Sequence, residues 1–159
     1  MPHSSEKILS QHALRAQIQE WQSEGHKVVF SNGCFDIVHL GHIDYLEKAR
    51  AMGDKLVIGL NSDDSVRQLK GQNRPINKEY ARSRMLAAYE FVDGVTLFGE
   101  ETPKDLIAYL LPDILVKGSD YAVTDIVGAD TVIENGGEVK TIDLVDGFST
   151  SNLIERIKN

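Results

Sequence analysis

Five short runs rich in apolar and β-branched residues recur along the chain: Val28 to Ser31, Leu56 to Asn61, Gly94 to Phe98, Ile114 to Lys117 and Glu138 to Ile142. Between and after them, apolar residues return every three or four positions in Ile43 to Met52, Asp63 to Leu69, Glu79 to Phe91, Pro103 to Leu111, Asp125 to Asn135 and Ser149 to Lys158. Short runs of the first kind read as buried strands and the second period as helices. Their alternation predicts an α/β fold, a Rossmann-like open parallel sheet with helices on both faces. Upstream, Met1 to Gly25 reads as a polar lead followed by a helix, with Ile8, Leu9, Leu14, Ile18 and Trp21 on one stripe and Gly25 as its stop. This segment is expected at the domain edge, dividing the chain into an N-terminal helical lead, residues 1–26, and a main domain, residues 27–159.

In an open parallel sheet, ligands bind beyond the carboxyl ends of the strands, near the point where strand order reverses. The polar segments that follow the five runs are therefore the candidate chemistry: Asp36 to His42, Asn61 to Asp63, Gly99 to Thr102, Lys117 to Tyr121 and Asp143 to Thr150. The first is the most informative. It reads Gly33-Cys34-Phe35-Asp36-Ile37-Val38-His39-Leu40-Gly41-His42 and joins a strand to a helix. Two histidines around a glycine at that junction place imidazole donors beside a helix N-terminus, which attracts anions. Gly41 lets the backbone approach phosphates without a Cβ in the way. No G-x-G-x-x-G follows the first strand and no P-loop sequence occurs, which disfavours a dehydrogenase-type dinucleotide site and a P-loop.

Composition narrows the reading further. A chain of 159 residues is near the common size for one domain. No apolar run approaches the roughly 18 residues of a membrane span, and residues 1–19 lack the apolar core of a signal peptide. A cytoplasmic protein with no membrane partner is expected. The net charge of −7 argues against sequence-independent nucleic-acid binding, so an anionic substrate must meet a local positive pocket. Cys34 is the only cysteine, which rules out an intrachain disulfide and a cysteine-rich zinc site. Its position after a strand favours packing over a nucleophilic role. The histidine pair alone is a poor metal site, since zinc takes about four ligands.

The decapeptide resembles the H-x-G-H signature of the cytidylyltransferase-like nucleotidyltransferases. Asn61-Ser62-Asp63, Lys70-Gly71, Arg74-Pro75, Arg82, Val92-Asp93, Pro112-Asp113, Lys117-Gly118 and Gly147-Phe148-Ser149-Thr150 follow in that family's order. Within it, Gly99 to Pro103 and Pro112 to Tyr121 look most like the heptose 1-phosphate adenylyltransferases. The resemblance implies a nucleotidyltransferase domain over residues 27–159, which moves AMP from ATP to a heptose 1-phosphate and releases pyrophosphate. It implies Mg²⁺ accompanying ATP, with no dedicated metal ligands in the protein, and ATP and a sugar 1-phosphate as partners. The family's homodimers extend to this chain only through the resemblance.

It also assigns residues. His39, His42 and Lys70 carry the catalytic role, with His42 nearest the α-phosphate. Nucleotide contacts fall on Asn32, Gly33, Cys34, Phe35, Asp36 and Gly41, then on Lys117, Gly118, Asp120, Gly147, Ser149 and Thr150. Asn61, Asp63, Arg74 and Arg82 are assigned to the acceptor substrate. Two alternatives stand beside these: Asp36 locks its loop through backbone N–H groups rather than serving the nucleotide, and Ser149 and Thr150 cap the last helix as well as holding phosphate. Leu144 stands where cytidylyltransferases carry an arginine, which weighs against CTP and glycerol phosphate. A cytidylyltransferase for an alcohol phosphate and a non-catalytic nucleotide-binding protein remain the competing readings.

Overall fold

The structure is a computed structural model and describes residues 2–159. All five expected strands form: β1 (Val28–Gly33), β2 (Lys55–Asn61), β3 (Gly94–Phe98), β4 (Ile114–Gly118) and β5 (Glu138–Ile142). They make one parallel sheet in the order β3-β2-β1-β4-β5. Order reverses between β1 and β4, and there the pairing is short. β1 runs beside β2 as far as Gly33↔Leu60, yet its paired register with β4 ends at Phe30↔Leu115. A crevice therefore opens between the carboxyl ends of β1 and β4, where the topology predicts a ligand.

Seven α-helices cover the sheet: α1 (Gln11–Ser23), α2 (Leu40–Arg50), α3 (Asp63–Lys70), α4 (Glu79–Ala87), α5 (Lys104–Leu110), α6 (Ala129–Glu134) and α7 (Thr150–Lys158). Alternate strand residues feed two cores. Val29, Ile58 and Val116 pack with Tyr45, Leu46 and Ala49 of α2 and Leu86 and Ala87 of α4. Phe30, Val57 and Leu115 pack on the other face with Leu14 and Ile18 of α1, Leu106 and Ile107 of α5, and Val132 of α6.

Three helix boundaries differ from the sequence reading by three residues or more. α2 starts at Leu40 rather than Ile43, because His39 adopts an extended backbone (φ −136°, ψ 176°) and takes the N-cap position. α4 stops at Ala87 instead of reaching Phe91, since the chain must turn for Asp93 to pair its N–H with the Leu56 carbonyl at 2.8 Å. α6 starts at Ala129 rather than Asp125, behind a 3-10 turn at Val123–Asp125 and Gly128 in a left-handed conformation (φ +85°).

The N-terminal segment is bound into the sheet face. Ser10 accepts the Ala13 N–H at 3.1 Å and caps α1, while the Leu9 N–H reaches the Val95 carbonyl at 2.9 Å and extends the β3 edge. Leu14 and Ile18 are fully buried. Ile18→Ala is accordingly expected to lower unfolding free energy by about 2–5 kcal/mol, measured by urea denaturation; a loss below about 0.5 kcal/mol would show that α1 contributes little to the core.

Candidate active site

The N-terminus of α2 points into the crevice. His39 is the N-cap and His42 lies in the first turn, their rings stacked with centroids 3.8 Å apart. The backbone N–H of His39 donates to Nδ1 of His42 at 3.3 Å. With Nδ1 an acceptor, the neutral ring carries its proton on Nε2. Burial, reinforced by the like charge of His39, pushes the His42 pKa down to about 4. Burial also lowers that of His39, whose Nδ1 is buried without a hydrogen-bond partner. At neutral pH the pair is therefore two uncharged donors at the positive end of a helix.

Neighbouring residues fix this geometry. A Cβ on Gly41 would stand 2.9 Å from the His39 ring and 3.1 Å from Cβ of Phe148, so only glycine fits there. Phe148 stacks on His39 from outside, with centroids 6.2 Å apart. Phe35, held at φ +46°, brings its ring to 5.1 Å from His42. Below, the Tyr45 hydroxyl bonds Oγ of Ser31 (2.9 Å) and donates to the Val116 carbonyl (3.0 Å), closing the floor where β1 and β4 part.

Asp36 locks a loop. Its buried carboxylate accepts N–H groups from Arg74 Nε (2.8 Å), Ile76 (2.9 Å) and Asn77 (2.8 Å), and its carbonyl accepts from the Asn77 amide (2.7 Å). Burial opposes the charge, but the backbone donors and the Arg74 guanidinium outweigh it and hold the carboxyl below its ordinary pKa. Both oxygens are thus committed within the protein. Arg74, assigned to the acceptor substrate, lines the cleft with its Nε anchored to Asp36.

Arg82 requires a correction. It is completely buried and lines no part of the cleft, so it is not a substrate contact in this structure. Its guanidinium donates to the carbonyls of Asn77 (2.9 Å), Cys34 (2.8 Å) and Asn61 (2.8 Å) and to the Asp63 carboxylate (2.9 Å). Asp63, the partner of that ion pair, likewise lies outside the cleft lining. Both act by joining the chain after β1, the chain after β2 and the start of α4. Asn61 does line the cleft, with its amide donating to Oγ of Ser65 at 2.8 Å.

The cleft encloses about 610 Å³, within the range of small-molecule sites. Asn32, Gly33, Cys34, Phe35, Asp36, His39, Gly41 and His42 form one wall. Lys70, which closes α3 rather than standing on a free loop, faces it from the β2 side. Lys117, Gly118 and Asp120 line it from β4; burial lowers the Lys117 pKa, and its ammonium lies 5.6 Å from the centre of the Tyr121 ring. Ser149 and Thr150 line the far side. Ser149 caps α7 by accepting the Asn152 N–H (3.0 Å), and Thr150 donates to the Ile37 carbonyl (3.1 Å), tying α7 to the H-x-G-H loop. Gly147 does not line the cleft; it makes the turn behind Phe148 at φ +84°. Burial raises the Cys34 thiol pKa, in keeping with a packing role.

The site residues assigned from the sequence omit Tyr45, Leu69, Tyr121, Leu144, Val145, Phe148 and Ser151, which also line the cleft. Phe148 and Ser151 lie in or beside a quoted motif, whereas Tyr45 reads only as helix core. Among the described residues, no group of three or more His, Cys, Asp or Glu side chains gathers as a metal site. With the Asp36 oxygens already satisfied, this donor set does not fit a resident magnesium ion. No helix among the described residues is long and apolar enough to cross a membrane.

A five-stranded parallel sheet with a histidine-bearing helix N-terminus at its switch point defines a Rossmann-like fold of the nucleotidyltransferase type. The chain belongs to the cytidylyltransferase-like family, whose sequence profile matches residues 30–156. The bifunctional protein HldE of Campylobacter jejuni subsp. doylei is 54% identical over 153 residues, 96% of this chain and 32% of that protein. HldE of Marinomonas sp. is 50% identical over 149 residues, 94% and 31% of the two chains. The chain thus spans about a third of the length of the curated relatives it matches. Among solved structures, the lipopolysaccharide core biosynthesis protein from Thermoplasma volcanium GSS1 is 30% identical with a TM-score of 0.60, covering 76% of this chain and 98% of that one. Pantoate-beta-alanine ligase from Francisella tularensis shares the fold at 12% identity, with a TM-score of 0.61 over 95% of this chain and 76% of its own.

The half-buried, neutral His42 couples stability to pH. Its folded pKa lies below the unfolded value of 6.5, so its contribution is complete above 6.5 and is lost as pH falls toward 4. Between pH 7 and pH 4 the wild type should lose on the order of 2–3 kcal/mol more stability than His42→Asn. Urea denaturation at both pH values measures this, and equal losses would contradict a half-buried, neutral imidazole.

Proposed function

We propose that the chain is an adenylyltransferase that joins ATP to a heptose 1-phosphate, forming ADP-heptose and pyrophosphate for lipopolysaccharide or another surface glycan. The observation that carries the chemistry is the concentration of anion-binding groups at one cleft of an acidic chain: the α2 N-terminus with His39 and His42, and the side chains of Lys70, Arg74 and Lys117. The choice of heptose rests on the residues from Pro112 to Tyr121 and on Leu144 in place of the cytidylyltransferase arginine, and the likeness to the lipopolysaccharide core biosynthesis protein from Thermoplasma volcanium supports the glycan role. A cytoplasmic location belongs to the same proposal, since ATP is the donor.

In the reaction, an oxygen of the sugar phosphate attacks the α-phosphorus of ATP. The bond from that phosphorus to the bridging oxygen of the β-phosphate breaks, and pyrophosphate leaves in line. The attacking phosphate is already ionised near neutral pH, so catalysis consists of positioning two polyanions and stabilising the charge that develops between them. His42 suits this role as an Nε2–H donor held in one tautomer. Backbone N–H groups of the first turn of α2 supply further donors without requiring a proton transfer. Lys70 and Arg74 flank a polar loop on the same side and balance the leaving group. The Ser149 hydroxyl keeps its own proton free for a phosphate oxygen, whereas that of Thr150 is used on Ile37. Mg²⁺ enters with ATP as part of the substrate and lowers the charge of the triphosphate.

The test is pyrophosphate release with ATP, CTP, GTP and UTP in turn, each against D-glycero-β-D-manno-heptose 1-phosphate and glycerol 3-phosphate. Release with ATP and the heptose phosphate alone is expected; release with CTP and glycerol phosphate would replace the proposal by a cytidylyltransferase. In the productive pairing, His42→Ala should lower kcat by about 10²–10³-fold while retaining the fold by circular dichroism. Cys34→Ser should keep most activity. A folded but inactive Cys34→Ser protein would overturn the packing role of that thiol.

A further inference from the structure

The crevice contains a polar side chain that the phosphate chemistry does not use. Asn32 lies near the end of β1, past the last register pair with β4, and its Oδ1 is buried with no hydrogen-bond partner. A buried acceptor without a donor is costly, so it needs an explanation. Phosphate oxygens do not provide one, because they only accept hydrogen bonds. A carboxamide has one acceptor and two donors, and its complement is a group that both donates and accepts.

Strand alternation puts a cation on the same side of the crevice. Phe30 and Leu115 are partners and share one core, and the next residues, Ser31 and Val116, meet the Tyr45 hydroxyl on the opposite face. One step further, Asn32 and Lys117 return to the face of Phe30 and Leu115, and both line the cleft. Lys117 forms no ion pair among the described residues, and its desolvated ammonium sits over Tyr121. The α2 helix, with His39 and His42, packs on the other face. One side of the crevice thus offers neutral donors and a helix end, and the other a carboxamide and an unpaired lysine.

We propose that Asn32 is a sugar-reading residue, whose carboxamide pairs with hydroxyls of a phosphorylated sugar unit held beside Lys117. This rests on the cleft being the adenylyltransferase site proposed above. Two sugar units carry the required chemistry: the ribose of the nucleotide and the acceptor heptose. Because Asn32 Oδ1 has no protein partner, its removal should affect ligands and spare the fold.

The test compares wild type, Asn32→Ala and the isosteric Asn32→Asp by isothermal titration calorimetry with three probes: tripolyphosphate, ATP, and D-glycero-β-D-manno-heptose 1-phosphate. Asn32→Ala is expected to bind tripolyphosphate like the wild type, to melt within about 2 °C of it, and to lose about tenfold in affinity for a sugar-bearing probe. A loss on ATP that disappears when 2′,3′-dideoxy-ATP is the probe identifies ribose; a loss on the heptose phosphate with ATP unchanged identifies the acceptor. Wild-type affinity for every probe in both variants would overturn the proposal, as would an equal loss for tripolyphosphate and ATP. Tripolyphosphate and ATP report on Asn32 even if the heptose phosphate is not the acceptor, so failure of the adenylyltransferase reading is distinguishable from failure of this one.

Discussion

The side of the cleft built from the ends of β1 and β2 depends on the buried guanidinium of Arg82. Three segments that do not pair with one another must meet at the carboxyl edge of the sheet: the loop after β1, the turn after β2 and the approach to α4. Each leaves a backbone carbonyl facing inward, and a buried carbonyl without a donor is costly. Arg82 satisfies those of Cys34, Asn61 and Asn77 and balances its own charge on Asp63. The planar fork of donors suits this task where a lysine would not. Asp36 then repeats the logic with opposite sign, gathering N–H groups from Arg74, Ile76 and Asn77. Both buried charges are spent on architecture, which leaves Lys70, Lys117 and the histidines for ligand.

The electrostatic design follows. A chain with net charge −7 repels polyanions at long range, so it needs a short-range device. Here that device is mostly dipolar: the first turn of α2 and two imidazoles kept neutral by burial. Neutral donors need no counterion, whereas a desolvated cation without one is penalised, as the lowered pKa of Lys117 reflects. Under the proposed function, the charge of a bound polyphosphate would favour protonation of the same rings.

The sheet was legible because its strands are short and β-branched and, apart from the edge strand β5, buried on both faces, which separates them from the helical segments by period and by length. The location of the site was legible for the same reason, since motifs following parallel strands must converge at one edge. What escaped was the division of labour among charged residues. Arg82 and Asp63 read as surface or substrate groups, because arginine and aspartate are seldom fully buried unless paired, and pairing across distant segments leaves no local trace. The start of α2 escaped because histidine is not among the favoured N-caps and Gly41 lowers helix propensity where the helix begins. Asn32 stood directly before the motif, yet its missing hydrogen-bond partner emerges only from the divergence of β1 and β4.

The central claim is that His42 waits as a neutral Nε2–H donor at the α2 N-terminus and gains its charge from the bound polyphosphate. Long-range ¹H–¹⁵N spectra of the histidine rings, titrated in pH with and without ATP, measure tautomer and pKa directly. A neutral Nε2–H ring down to about pH 4–5 in the free protein, with its pKa raised when ATP binds, is the predicted result. A free His42 that titrates near its ordinary 6.5, or that carries its neutral proton on Nδ1, would contradict it.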